Sequence, residues 1–96
     1  MARNNTYNVG DIIRKLMKNP KLAEKLDKLD ALQIWNEIIG EALREYIIDQ
    51  SLSKDILYVK LKSSIVRNEL SYKKTEIKNQ INKRLGKIVV NEIILK

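Results

Sequence analysis

The sequence predicts a small α+β domain whose elements follow the order α-α-β-β-α-β. Two observations carry this prediction. Apolar residues recur at helical spacing up to residue 45, alternate at strand spacing up to residue 62, and return to helical spacing over residues 64–85. Cap and turn residues stand where the spacing changes. Because 96 residues suit one domain, we expect a single domain over residues 8–96 behind a flexible N-terminus at residues 1–7.

Two helices are predicted in the first half of the chain. Helical spacing of apolar residues begins near Val9 and reaches Met17. Asn19 suits the N-cap of the next helix and Pro20 its first position. Gly40 is a natural cap at its end, and a further short turn of helix can follow it. The apolar positions of this second helix are Leu22, Leu26, Leu29, Leu32, Trp35, Ile38 and Ile39.

A β-hairpin is predicted from residues 46–52 and 56–62 around a turn at residues 53–55. In the second segment the residues at 57, 59 and 61 are apolar and alternate with Ile56, Tyr58, Lys60 and Lys62. This alternation predicts one face that packs on helices and one outer face.

A long helix is predicted over residues 64–85, with serines at its start and Gly86 as its C-terminal cap. Its apolar stripe consists of Val66, Leu70, Ile77, Ile81 and Leu85. Lys73 and Arg84 fall inside the apolar arc. We therefore expect at least one of two features, a kink near residues 71–72 or fraying after Leu85.

A last strand is predicted over residues 88–95, which are rich in Ile and Val. This segment is apolar on both faces, so it could pair across a dimer if it lies at a sheet edge. We expect a monomer or a weak dimer.

The positive charge lies in the second half of the chain. Residues 1–53 hold eight basic and eight acidic side chains, whereas residues 54–96 hold eleven basic and four acidic, which accounts for the whole formal charge of +7. Such asymmetry indicates a polyanionic partner for the second half. A solubilising basic surface is the alternative.

The composition argues against an enzyme or a metalloprotein. Cys and His are absent, which excludes disulfides, thiolate zinc sites and the usual general base. The carboxylates are scattered, and the three glycines stand alone, so no phosphate-binding loop is present. We expect no catalysis, no cofactor and no metal. Because no secretory signal or membrane span is recognised, we expect a cytoplasmic protein without a membrane partner.

The strongest candidate site is a polar row on the long helix, beside its apolar stripe. Its members, at spacings of three and four, are Arg67, Ser71, Lys74, Lys78 and Asn82. Cations along one helix edge can reach successive phosphates and displace counterions, and Ser and Asn can add hydrogen bonds. A solvated helix face is the alternative interpretation, and Asn82 can equally cap or hydrogen-bond locally.

The outer face of the second strand is another candidate, because Tyr58 stands there beside Lys60 and Lys62. Single-stranded nucleic acid is held by stacking on aromatic side chains within a positive groove. A cross-strand packing pair is the alternative for Tyr58. Lys83 and Lys87 would extend the positive field. Trp35, in contrast, lies within an apolar helical pattern, which favours the core.

Five short motifs carry a resemblance to a known family. They are Trp35-x-x-Ile38-Ile39-Gly40-x-x-Leu43, Leu57-x-Val59-x-Leu61-x-Ser63-Ser64, Arg67-Asn68-Glu69-Leu70-Ser71, Ile77-x-x-x-Ile81-Asn82-x-x-Leu85-Gly86 and Val89-Val90-x-x-Ile93. In their order and spacing they resemble the DciA family of bacterial replicative-helicase loaders, over about residues 11–95. Val66 departs from the Trp that many members carry at the helix start.

The resemblance implies a KH-like fold, a role in loading or operating the replicative helicase, and affinity for DNA. It also indicates a compact form without the tail of many members. Helicase contact would then use the folded domain, or another partner takes its place, or that function is lost. The GxxG loop of RNA-binding KH domains is absent, so nucleic acid would bind elsewhere.

Together these observations predict a DNA-binding accessory protein of the replicative helicase, with single-stranded or forked DNA favoured and RNA as an alternative ligand. The competing hypothesis is a protein-interaction adaptor of the replisome without direct DNA binding. Its surface could be the first two helices, whose balanced charges and many leucines suit a protein partner.

Overall fold

The computed structural model describes residues 9–96, and the flexible N-terminus expected at residues 1–7 lies outside the described residues. The elements, in chain order, are α1 (Val9–Met17), α2 (Pro20–Arg44), β1 (Ile47–Ser53), β2 (Ile56–Leu61), α3 (Ser64–Leu85) and β3 (Glu92–Leu95). The predicted α+β class and element order are therefore confirmed. A three-stranded sheet packed on helices is compatible with the KH-like arrangement.

The helices begin and end at the predicted cap residues. The Asn19 side chain accepts hydrogen bonds from two backbone N–H groups in the first turn of α2. Ser63 does the same for the N–H of Val66 in α3. Gly86 ends α3 in the left-handed conformation, with φ 73°. These caps depend on neighbours in sequence, so they could be predicted without knowledge of the fold.

Gly40 interrupts α2 near its end. Its backbone has φ 77° and ψ 172°, which is outside the helical region, and a short helical stretch over residues 41–44 follows it. The predicted cap and the predicted further turn are both confirmed.

The sheet has the order β1-β2-β3, so β2 is central and β3 lies at an edge. β1 and β2 form the predicted antiparallel hairpin, and β3 runs parallel to β2. Leu57, Val59 and Leu61 are buried, whereas Ile56 and Tyr58 between them are half-buried. The helices therefore cover one face of the sheet and leave the other face open.

The last strand is shorter than predicted, because β3 begins at Glu92 and not at residue 88. The side chain of Asn82 explains the difference. Its Oδ1 accepts hydrogen bonds from the N–H groups of Val89 and Val90, and its Nδ2 donates to the carbonyl of Val90. These main-chain groups are thus bound to α3 and cannot join a strand ladder.

α3 is continuous over its 22 residues, so the kink expected near residues 71–72 is absent. Lys73 and Arg84 nevertheless lie exposed at the surface. Arg84, in the last turn of the helix, forms an ion pair with Glu37 of α2.

The core lies between the covered face of the sheet, the second half of α2 and α3. Trp35 is fully buried there, as predicted, and its indole N–H donates to Gln50 of β1 at 3.1 Å. Its companions are Ala31, Ile34, Ile39, Leu57, Val59, Leu61, Val66, Leu70, Ile77, Ile81, Val90 and Ile93.

Candidate nucleic-acid interface

The predicted polar row lies on the side of α3 that faces β3. Lys74 and Lys78 are half-buried and line a small groove together with Asn91, Glu92 and Ile93 at the start of β3. On the other side of its buried stripe, α3 faces α2. The groove therefore combines two cations with the edge of the sheet.

Arg67 marks the opposite end of this row. Because β2, α3 and β3 form a crossover between parallel strands, α3 runs back along the sheet in the reverse direction. Arg67, in the first turn of α3, lies toward the ends of the strands, and Lys78 lies toward their beginnings. At a rise of about 1.5 Å per residue, Arg67 and Lys78 are about 16 Å apart along the helix.

The main chain of β3 adds hydrogen-bonding groups to the groove. Lys96 exchanges hydrogen bonds with Val59 and Leu61 of β2, at 2.9 and 2.7 Å. Since ladder bonds alternate along a strand, Ile93 and Leu95 direct their N–H and C=O groups away from β2, toward the edge. Lys74 and Lys78 therefore lie beside a sheet edge whose main-chain groups can both donate and accept hydrogen bonds.

The positive charges of the polar row favour binding of an anion, although one carboxylate lies nearby. Within residues 9–96, no carboxylate lies at ion-pair distance from Arg67, Lys74 or Lys78. Glu92, however, lines the same groove as the two lysines. Its carboxylate would repel a phosphate near the start of β3, so the row attracts anions most strongly toward Arg67.

The two neutral members of the row are engaged within the domain. The Ser71 hydroxyl donates to the backbone carbonyl of Asn68 at 2.7 Å. Asn82 makes the three hydrogen bonds that hold Val89 and Val90. Of the two interpretations of Asn82 from the sequence, the structure shows local hydrogen bonding. We therefore do not count Asn82 among the residues of the interface.

Tyr58 lies in the middle of the open sheet face. It is half-buried, and its cross-strand neighbours are Ser51 and Ile94. The Nζ atom of Lys96 is 5.5 Å from the centroid of its ring, within the range of a cation–π contact. Sequence analysis missed Lys96, because only the parallel register of β3 on β2 brings it to Tyr58.

Lys60, near the end of β2, and Lys62, just after it, are both exposed. Asp49 is the partner of Lys60 in the β1–β2 register, so one carboxylate borders this group. The structure thus places Lys96 over the ring of Tyr58, with Lys60 two residues and Lys62 four residues farther along the chain.

Lys83 and Lys87 do not join either group. Lys83 lies on the outer side of α3, beside Tyr72 and Gln80, away from the groove at β3. Lys87 forms an ion pair with Asp27 of α2 at 2.7 Å. Its charge is already balanced by a carboxylate from the first half of the chain.

Other kinds of site find no support in the part of the chain that the structure describes. Residues 9–96 hold no group of three acidic, His or Cys side chains placed to bind a metal ion. None of their helices combines the length and apolar character needed to span a bilayer.

Comparison with models of known protein families identifies the family of this chain. The family model described as Dna[CI] antecedent, DciA, matches residues 8–95, which is nearly the entire chain. No curated protein sequence matches it.

Proposed function

The chain belongs to the DciA family, which is linked to loading of the replicative helicase, and from this premise we propose that it is a non-enzymatic accessory protein that binds DNA while it serves that helicase. Arg67, Lys74 and Lys78 hold phosphates along α3. A second contact on the open face of the sheet comes from Tyr58 with Lys96, and Lys60 and Lys62 add positive charge nearby.

One observation carries the proposal. Three cations lie along the side of α3 that faces a sheet edge, and none of them has an ion-pair partner among residues 9–96. Cations without ion-pair partners can neutralise successive phosphates of a nucleic acid, and this releases the counterions that were condensed on the nucleic acid.

A single strand or a fork suits this surface better than an intact duplex. The groove at Lys74 and Lys78 is small, and it lies beside the edge strand β3, whose outward main-chain groups are open to hydrogen bonding. Single-stranded bases can turn toward such main-chain groups and can stack on Tyr58, whereas duplex bases are already paired and stacked.

The test is fluorescence anisotropy of labelled single-stranded, forked and duplex DNA across a salt series. The double variant Lys74→Glu/Lys78→Glu should bind at least about tenfold more weakly at low salt. Its log–log salt slope should be shallower by about 0.7 for each phosphate that the variant no longer neutralises.

The matched control is Lys21→Glu/Lys25→Glu. It changes the net charge by the same amount, at two exposed lysines on α2. Wild-type-like binding by this control would assign the loss to the row on α3. An equal loss in both variants would show that only the total charge matters, and no loss in either would sink the assignment.

The replisome adaptor without direct DNA binding is the second candidate. The exposed leucines of α2 favour it, since an unpartnered apolar surface indicates a protein partner. Flat, weak binding of the wild-type chain to every DNA, together with tight binding to the purified helicase, would establish this function in place of the first.

A further inference from the structure

The first half of α2 leaves three leucines at the surface. Leu22, Leu26 and Leu29 are 38%, 39% and 63% exposed, respectively, although α1 lies directly before them in the chain. The buried residues of α2, in contrast, all come from Ala31 onward. We call Leu22, Leu26 and Leu29 the leucine stripe.

The stripe points away from the core of the domain. At about 100° per residue, its three members share one side of the helix. On the opposite side, Asp27 pairs with Lys87, in the segment that follows α3. No rearrangement of side chains can therefore bury the stripe against this domain's own core.

The stripe continues toward Gly40 as a shallow groove. Leu29 and Leu32 line its apolar end, and Gln33 and Asn36 follow. Its far end carries Glu37 and Glu41, whose carboxylates are paired with Arg84 and Arg44. Apolar contact at one end and hydrogen-bonding groups at the other suit the side of a helix that lies along α2.

One border of the stripe is positively charged, whereas Asp30 is exposed on the other border. Lys21 and Lys25 are exposed along this border, and Lys18 is exposed in the turn before α2. Within residues 9–96 no carboxylate lies at ion-pair distance from these three lysines. Lys28, farther around the helix, is paired with Glu24 at 3.2 Å. The complementary surface is an apolar helix face bordered by acidic side chains.

From these features we propose that the leucine stripe and its lysine border form the surface that docks on the replicative helicase, through an amphipathic helix of the helicase with acidic residues along one border. This inference rests on the helicase partnership in the proposed function. It adds the location of the contact, which is separate from the DNA-binding row on α3.

A second copy of this chain fits the surface less well. In an antiparallel two-fold pairing of α2 helices, each flank meets the same flank of the other copy. Lys21 and Lys25 would then face their own counterparts, and like charges across an interface are unfavourable.

The test measures binding of the chain to the purified replicative helicase of the same organism by biolayer interferometry. Leu26→Gln/Leu29→Gln should weaken binding at least about tenfold, because central apolar contacts dominate such interfaces. The matched control, Ile65→Gln/Ile88→Gln, removes two aliphatic side chains that are 75% and 74% exposed elsewhere, and it should bind like the wild type.

The charge variants give a reciprocal test. Lys21→Glu/Lys25→Glu should weaken helicase binding in a salt-dependent way and leave DNA binding intact. Lys74→Glu/Lys78→Glu should do the reverse. Circular dichroism of each variant confirms that the fold is retained.

Several outcomes would overturn the inference. If Leu26→Gln/Leu29→Gln binds the helicase with wild-type affinity, the docking surface lies elsewhere, while the proposed function stands. If sedimentation shows a wild-type dimer that this variant dissociates, a second copy covers the stripe. If the wild-type chain does not bind the helicase at all, the helicase partnership itself fails, and the inference fails with it.

Discussion

The first half of α2 keeps its leucines at the surface, whereas the second half buries its apolar residues in the core. The cause is a change of spacing along one helix. Each three-residue step falls about 60° short of a full turn. Leu29 and Ile38 are separated by three such steps, so they lie about half a turn apart. One continuous helix therefore presents apolar residues to a partner on one side and to its own domain on the other.

The largest expected effect tests this contrast between the two halves. Trp35→Ala should lower the free energy of unfolding by about 3–5 kcal/mol, because it leaves a cavity beneath the sheet. Leu29→Ala should cost less than about 1 kcal/mol, because that side chain is already 63% exposed. Urea denaturation of both variants gives the comparison. A cost at Leu29 close to that at Trp35 would mean that the stripe packs within the domain.

A second prediction concerns Asn82, which joins α3 to the segment before β3. Asn82→Ala removes three hydrogen bonds and leaves main-chain groups of Val89 and Val90 without their partners. The free energy of unfolding should fall by about 1–3 kcal/mol. Asn79→Ala, on the exposed side of the same helix, should change it by less than about 0.5 kcal/mol.

The same pair of variants separates the two interpretations of Asn82. DNA affinity of Asn82→Ala, measured well below its melting temperature, should match the wild type if the amide only holds the segment before β3. A clear loss of affinity in the folded protein would return Asn82 to the interface.

A smaller difference in stability is expected between alanine substitutions at Gly40 and Gly86, because their backbone conformations differ. An added Cβ would meet no atom within 4 Å at either position, so only backbone strain differs. Gly40 has ψ 172°, a region that is almost restricted to glycine, whereas Gly86 has ψ 15° in the left-handed helical region. Gly40→Ala should cost about 1–3 kcal/mol and Gly86→Ala about 1 kcal/mol in thermal or urea unfolding. Equal costs would mean that the bend after residue 39 relaxes.

The sequence predicts best what depends on near neighbours. The caps at Asn19, Ser63 and Gly86 and the burial of Trp35 follow from local spacing. The sequence also could have predicted that Lys83 lies off the row. Lys83 follows Lys78 by five residues, which places it more than a third of a turn around the helix from Lys78.

Other features of the site depend on contacts between distant parts of the chain. Lys96 reaches Tyr58 only through the register of parallel strands, and Lys87 meets Asp27 from a helix sixty residues earlier. The exposure of the leucine stripe depends on which side of α2 the sheet covers. Periodicity shows that an apolar side exists, but packing decides which side is buried.

The smallest expected effects concern the two ion pairs that join α2 to the second half of the chain. Asp27→Asn releases Lys87, and Glu37→Gln releases Arg84. Each change should lower the free energy of unfolding by less than about 1 kcal/mol, because all four side chains are partly exposed. Each variant loses one negative charge, so the DNA affinities of the two variants at low salt can be compared directly by fluorescence anisotropy. If Lys87 belongs to the interface, Asp27→Asn should strengthen DNA binding more than Glu37→Gln does. Equal strengthening would mean that only the overall charge acts, and Lys87 would then be a structural residue that holds α2 against the segment after α3.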